Sequence, residues 1–169
     1  MIYFTSDLHL EHPNIIHYCG RPFRNVQQMN KVLIKNWNSV INEDDVVYML
    51  GDLSIKPPAY KRGLWHFVDN MKGKKHLILG NHDYLEPFDY IDMGFISVHT
   101  MLWLEEFTLI HDPAQAYKIN GPVLHGHVHQ NWKKHKNAIN VGVDVWDFKP
   151  VSIDDINIEI GRASCRERV

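Results

Sequence analysis

Five short apolar runs in this chain stop on a histidine, aspartate or asparagine, and that recurrence constrains the fold more than any other feature. IYFTS (2–6) ends at Asp7, VVYML (46–50) at Gly51-Asp52, and HLIL (76–79) at Gly80-Asn81-His82-Asp83. FTLI (107–110) ends at His111, and PVL (122–124) runs into HGHVH. Short apolar runs bounded by such polar stops read as buried strands. In α/β sheets, ligands collect at the carboxyl ends of the strands, so the five stops are expected to converge on one site.

Between the runs, helical spacing is visible. Asn25 followed three residues later by Gln28 reads as a capping box, and Val26, Met29, Leu33, Trp37 and Val40 recur on one face, predicting a helix over 26–41. Pro57 and Pro58 suit the start of a second helix, with Leu64, Phe67, Val68 and Met71 as its buried face up to Gly73. AINVGVDVW (138–146) alternates and reads as one further strand. Trp37, Trp65 and Trp103 are expected in the core. No repeat, linker or low-complexity tract divides the chain.

At 169 residues, 44% apolar and 22% charged, the chain has the composition of one globular domain. No apolar run reaches the length of a membrane span. MIYFTSD lacks the basic start of a signal peptide, and two cysteines make no disulfide framework, so a reduced, cytoplasmic setting is expected. Cys19 reads as a reduced, partly buried thiol. The last ten residues, IGRASCRERV, break the preceding alternation and match the in-frame translation of a widely used sequencing adapter. The expected domain is therefore 1–159, with 160–169 a non-native tail. Without that tail, Lys plus Arg falls from 18 to 15 and Asp plus Glu from 20 to 19, a net charge of −4. Such a balance argues against a general nucleic-acid coat protein.

Histidine is the unusual count: 12, against 18 for Lys and Arg together. The five stops bring carboxylates, imidazoles and one amide, with no thiolate, a set suited to a catalytic transition metal rather than a structural zinc. Asp7 and His9 are two residues apart, as are His127 and His129, so in extended chain each pair faces one way. Two such pairs and an aspartate that bridges them would hold two cations, the arrangement that activates water against a phosphoryl group.

Taken in order, Asp7-x-His9, Gly51-Asp52, Gly80-Asn81-His82-Asp83, His111 and Gly126-His127-x-His129 resemble the motifs of the calcineurin-like metallophosphoesterase superfamily. FTSDLHLEHPNIIHYCGRPF and NVGVDVWDFKPVSIDDI further resemble a small bacterial and phage branch of predicted phosphoesterases. The resemblance implies an α/β, four-layer α-β-β-α sandwich: two mixed sheets flanked by helices, with no room for a cap domain. It implies one ion held by Asp7, His9 and His129, a second by Asn81, His111 and His127, and Asp52 bridging them. His82 would act as general acid, and Asp83 would orient it and tune its charge. The cofactor would be two divalent ions, manganese first, with iron, nickel or zinc as alternatives. A hydroxide held between them would attack a phosphate ester, more readily a diester than a monoester, with nucleotides or nucleic-acid ends as substrates and no membrane partner. Two departures touch none of these donors: LSI follows Gly51-Asp52, and the lone histidine sits in IHDP. The alternatives are a phosphomonoesterase on the same site and a catalytically inactive metal-binding scaffold, although for the latter every expected donor is present. A metallo-β-lactamase-type site would need H-x-H-x-D-H in one run, which HGHVHQNW does not supply.

Other residues lie outside these motifs. Arg21 and Asn14, with His12 and His17, follow the first motif and could line the substrate side, where a guanidinium would grip phosphate. His125 shares the parity of His127 and His129 and is expected to point with them, as a group on the substrate side. Lys133, Lys134 and Lys136 beside Trp132 could hold a nucleic-acid backbone, although a solvated loop is the plainer reading. His17, His66, His76, His99 and His135 read as structural or solvated.

Overall fold

The computed structural model describes residues 1–55 and 61–161. Its architecture is mixed α/β, with two five-stranded mixed sheets and helices. In the first sheet, β1 (Ile2–Thr5), β2 (Val46–Met49), β3 (Lys74–Ile78) and β4 (Phe95–His99) run parallel. In the second, β5 (Leu102–Leu104), β6 (Phe107–Leu109), β7 (Val123–His125), β8 (Lys134–His135) and β9 (Ala138–Asn140) take the order β5-β6-β7-β9-β8, with β6, β7 and β9 parallel. The short strand β10 (Val151–Ser152) closes the first sheet antiparallel to β1. A parallel bridge between Ser6 and Gly142 links the ends of β1 and β9, so the carboxyl ends of both parallel sets meet at one rim.

The alternation within each strand divides the apolar residues between faces. Val47, Met49, Leu77 and Phe95 turn toward the helices, α1 (Pro13–Tyr18), α2 (Val26–Val40), α3 (Lys61–Asp69) and α4 (Pro87–Asp92). Phe4, Tyr48 and Ile78 turn the other way and meet Phe107, Leu109, Leu124 and Ile139 in a second core between the sheets. Ile156 of α5 (Ile153–Glu159) closes its margin. The outer face of the second sheet (Ile110, Val123, Ala138) is covered by the 3-10 turn Pro113–Lys118 and Trp132. Among the described residues the order is thus helix, sheet, sheet, and a thin outer layer of turn and loop where α-helices were expected.

Helix α2 has the predicted start: the Asn25 side chain accepts from the Gln28 backbone N–H at 2.9 Å. Gln28 reaches back one residue further than a capping box requires, accepting from the Arg24 N–H at 2.7 Å. Pro57 and Pro58 lie outside the described residues; within them, α3 runs from Lys61 and buries Leu64 and Val68. The expected strand over 138–146 ends at Asn140. There the Asn140 side chain accepts from the Gly142 N–H at 2.7 Å and its carbonyl from Trp146 Nε1 at 2.7 Å, so the chain turns into a 3-10 segment, Val143–Val145.

Only Trp37 of the three tryptophans is a core residue, its indole N–H donating to the Lys72 carbonyl at 2.9 Å. Trp65 is 45% exposed, one position off the buried face of α3, and Trp103 is 73% exposed on the outer face of the edge strand β5. At the other end, Ile160, the first residue of the expected tail, packs against the core between the sheets. Among the described residues, no helix is long and apolar enough to cross a membrane.

Candidate metal centre

The polar stops converge. Asp7 and His9 follow β1, Asp52 follows β2, Asn81 and His82 follow β3, His111 follows β6, and His127 and His129 follow β7. Five of these residues (Asp7, His9, Asp52, His127 and His129) have φ between 50° and 73°, the left-handed region that costs a side chain on the order of 1 kcal/mol. That strain concentrates where the strands hand over to the site. Two glycines make the approach possible. A Cβ on Gly51 (φ 90°) would lie 2.5 Å from His111 Nδ1, and one on Gly126 would run into Ser6 Oγ and lie 2.5 Å from Asp7 Oδ2.

Donor atoms converge in two overlapping groups. Asp7 Oδ1 lies 4.0 Å from His9 Nε2 and 4.0 Å from His129 Nε2. Asp52 Oδ2 lies 3.4 Å from His9 Nε2 and 3.4 Å from His111 Nε2. Asn81 Oδ1 is 3.0 Å from both His111 Nε2 and His127 Nδ1. Donors about 2 Å from a shared ion lie roughly 3–4 Å from one another, so these spacings suit cations. Asp7, His9 and His129 form one such group, and Asp7, Asp52 and His111 another.

The donor chemistry passes the same test. His9 Nε2 is buried, aimed at two carboxylates, and has no hydrogen-bond partner. Burial pushes the His9 imidazole down to about 2, so it is neutral, the form that binds metal. Asp52 is held down to about 2: burial would raise it, but His111, His9 and the His82 N–H together outweigh burial. Burial would lower His111 and His129, yet Asp52 and Asp7 hold His111 up to about 9, and Asp144 holds His129 up to about 10. A cation at the centre would compete with those protons. Ring orientation is set from behind. His111 Nδ1–H donates to the Leu50 carbonyl at 2.7 Å and His129 Nδ1–H to Asp144 Oδ2 at 3.0 Å, turning each Nε2 inward.

Three expectations change. Arg21 does not face substrate: its side chain is buried, with Nε and Nη2 on the two Asp144 oxygens (2.8 and 2.9 Å), Nη2 also on the Asp7 carbonyl (2.7 Å) and Nη1 on the Leu8 carbonyl (3.0 Å). His125 is fully buried, its Nδ1 2.7 Å from the Gly126 carbonyl and its ring 4.6 Å from that of Trp132, so it meets neither substrate nor solvent. Its parity with His127 fails because strand alternation stops where β7 ends and positive φ begins.

Asp83 does not orient the His82 ring; it accepts from the backbone N–H groups of Gly80, Asp52 and Leu53 at 2.8, 2.8 and 3.0 Å, and burial pushes it up to about 7. The Tyr84 hydroxyl stands at His82 Nδ1 instead, at 3.0 Å. Lys133 packs on the Trp146 ring and pairs with Glu159, and Lys134 donates to the Glu159 carbonyl, so these two do not form a free basic strip. Asn14 does line a cleft, with His9, His12, His82 and His129.

Sequence reading passed over Asp144 and Tyr84, and it did not bring Cys19 within 4.8 Å of a His129 nitrogen and an Asp144 oxygen. The one signal was an aspartate inside the apolar alternation NVGVDVW.

No family model matches the sequence. The Mycobacterium phage L5 Gene 66 protein is 28% identical over 190 residues, covering 91% of this chain and 91% of that protein. The crystal structure of the protein of unknown function AQ665 from Aquifex aeolicus superposes with a TM-score of 0.72 and 25% identity, covering 94% of this chain and 98% of that one. The Uncharacterized protein MJ1445 of Methanocaldococcus jannaschii is 40% identical over 163 residues, 90% of this chain and 87% of that protein. At that identity over that length, the chain belongs to the same family as the M. jannaschii protein.

Proposed function

We propose that this chain is a dinuclear metal-dependent phosphoesterase with the sandwich fold of the calcineurin-like metallophosphoesterases, acting on phosphodiesters in preference to monoesters. The observation that carries this reading is Asp52 Oδ2, 3.4 Å from His9 Nε2 on one side and 3.4 Å from His111 Nε2 on the other. One carboxylate oxygen within reach of two donor sets is what a bridged pair of ions requires. Asp7, His9 and His129 would hold one ion, and Asn81, His111 and His127 the other. Two divalent ions there, manganese by preference for this donor set, would polarise the phosphoryl group and lower the pKa of water.

The remaining work falls to the chain. His82 lines the open cleft beside His9, with ring centroids 5.6 Å apart. Tyr84 at its Nδ1 leaves Nε2 free to pass a proton to a leaving alkoxide. Asp83 pins the Gly51–Leu53 turn and so fixes the bridging carboxylate. Among the described residues no cap covers the rim, so both ester arms of a diester, nucleotides and nucleic-acid ends included, have space.

The test is elemental analysis after loading with manganese, followed by hydrolysis of bis(p-nitrophenyl) phosphate. About two ions per chain and metal-dependent release of nitrophenol are expected. His82→Ala should lower kcat on the order of 100-fold to 10,000-fold while keeping its metal, and Asp52→Ala should lose both metal and rate. Fully loaded protein that releases nothing from any mono- or diester would sink the proposal.

A further inference from the structure

Two clefts of about 510 Å³ each flank the donor set, and they differ in chemistry. One contains His9, His129 and His82, and its wall carries the polar His12, Asn14, Gln130 and Asn131 and the Tyr18 ring, which is 69% exposed, beside Ile15, Cys19 and Ile55. The other contains Asn81, His111 and His127, and its wall beyond them is mostly aliphatic (Leu79, Met101, Ile110 and Ile119), with Thr100 and Asp112 as its polar members. Among the described residues none lines both. A phosphoryl group at the donors therefore sends one ester arm into a polar cleft and the other along an apolar groove.

Resting on the phosphoesterase reading above, we infer that the substrate is an unsymmetrical phosphodiester joining a nucleoside to an apolar alcohol. The Tyr18 ring offers a face for a base, and the amides of Asn14, Gln130 and Asn131 offer donors and acceptors for its edges. Met101, 40% exposed, and Ile119 offer only dispersion and water exclusion, which suits an alkyl or acyl-bearing arm. Because His82 lies in the polar cleft, the nucleoside is the leaving group. Water oxygen bonds to phosphorus, the bond from phosphorus to the nucleoside oxygen breaks, and its electron pair leaves with that oxygen, which takes a proton from His82. Of water's two protons, one restores His82 and the other goes to the phosphate or solvent. The phosphate stays on the apolar arm.

The experiment uses manganese-loaded full-length protein and p-nitrophenyl phosphodiesters whose second arm is methyl or hexyl. About twofold per methylene in a half-open groove gives a hexyl-to-methyl ratio in kcat/KM on the order of 30-fold. Met101→Ser should collapse that ratio, whereas Trp103→Ser, on the exposed face of β5 outside the groove, should leave it as in the wild type. Calorimetric binding of hexylphosphonate against methylphosphonate should show the same preference without turnover. Thymidine 5′-hexyl phosphate should yield thymidine and hexyl phosphate. Equal methyl and hexyl values, or release of hexanol and thymidine monophosphate, would overturn the inference and leave the phosphoesterase reading standing. No hydrolysis of any ester would overturn both.

Discussion

Asp144 carries two side chains on which the centre depends, Arg21 through two hydrogen bonds and His129 through one. Removing it leaves a buried guanidinium without its counter-charge and frees the imidazole to rotate. Asp144→Ala should therefore lower the unfolding free energy by about 3 kcal/mol in urea titration and weaken manganese binding about tenfold or more by calorimetry. An unchanged metal affinity would show that the ring is held by its packing instead. Arg21 shows why sequence misleads at this scale: a guanidinium next to a catalytic motif suits phosphate and a buried carboxylate equally well, and Asp144 lies 123 residues away. His125 repeats the lesson, since parity along a strand says nothing once the backbone leaves it.

Elements were read best where their signal is local. The Asn25 cap and the spacing of Met29, Leu33 and Trp37 define α2 without help from the rest of the chain. Asn25→Ala should cost about 1 kcal/mol in chemical denaturation, because the Gln28 N–H loses its acceptor. A cost near zero would mean that packing of the buried face alone sets the helix start. Where local pattern and side-chain hydrogen bonding compete, pattern lost. The alternation in AINVGVDVW continues past Asn140, but the Asn140 side chain and the Trp146 indole turn the chain into a 3-10 segment that delivers Asp144 to His129. Trp65 and Trp103 fall on exposed faces because α3 and β5 each have only one covered side, which composition does not reveal.

At the scale of the whole molecule, Met1 is tied to the turn before β2. Its ammonium donates to Asp45 Oδ1 at 2.8 Å, and the Asn42 N–H donates to Oδ2 at 2.8 Å. The ammonium first, and then the Asn42 N–H, hold the Asp45 carboxyl below its usual range. A carboxyl lowered on folding stabilises the protein above about pH 4, its unfolded value, and that contribution disappears as pH falls through the folded value. Asp45→Asn should thus melt lower than the wild type at pH 7, with the gap closing below about pH 4; a gap independent of pH would contradict this.

The linear sequence determined the five strands with polar ends, the α2 helix and the donor types, because periodicity, capping and ligand chemistry are local properties. It also determined that these donors fall at strand ends, and parallel strands put their ends on one rim. Tertiary structure alone decided the pairing of β1 with β10, the Ser6–Gly142 bridge and the left-handed turns at Asp7, His9 and Asp52. It alone separated the inward-facing His127 and His129 from the buried His125, because those positions depend on which distant backbone lies opposite, and no neighbour in sequence records that.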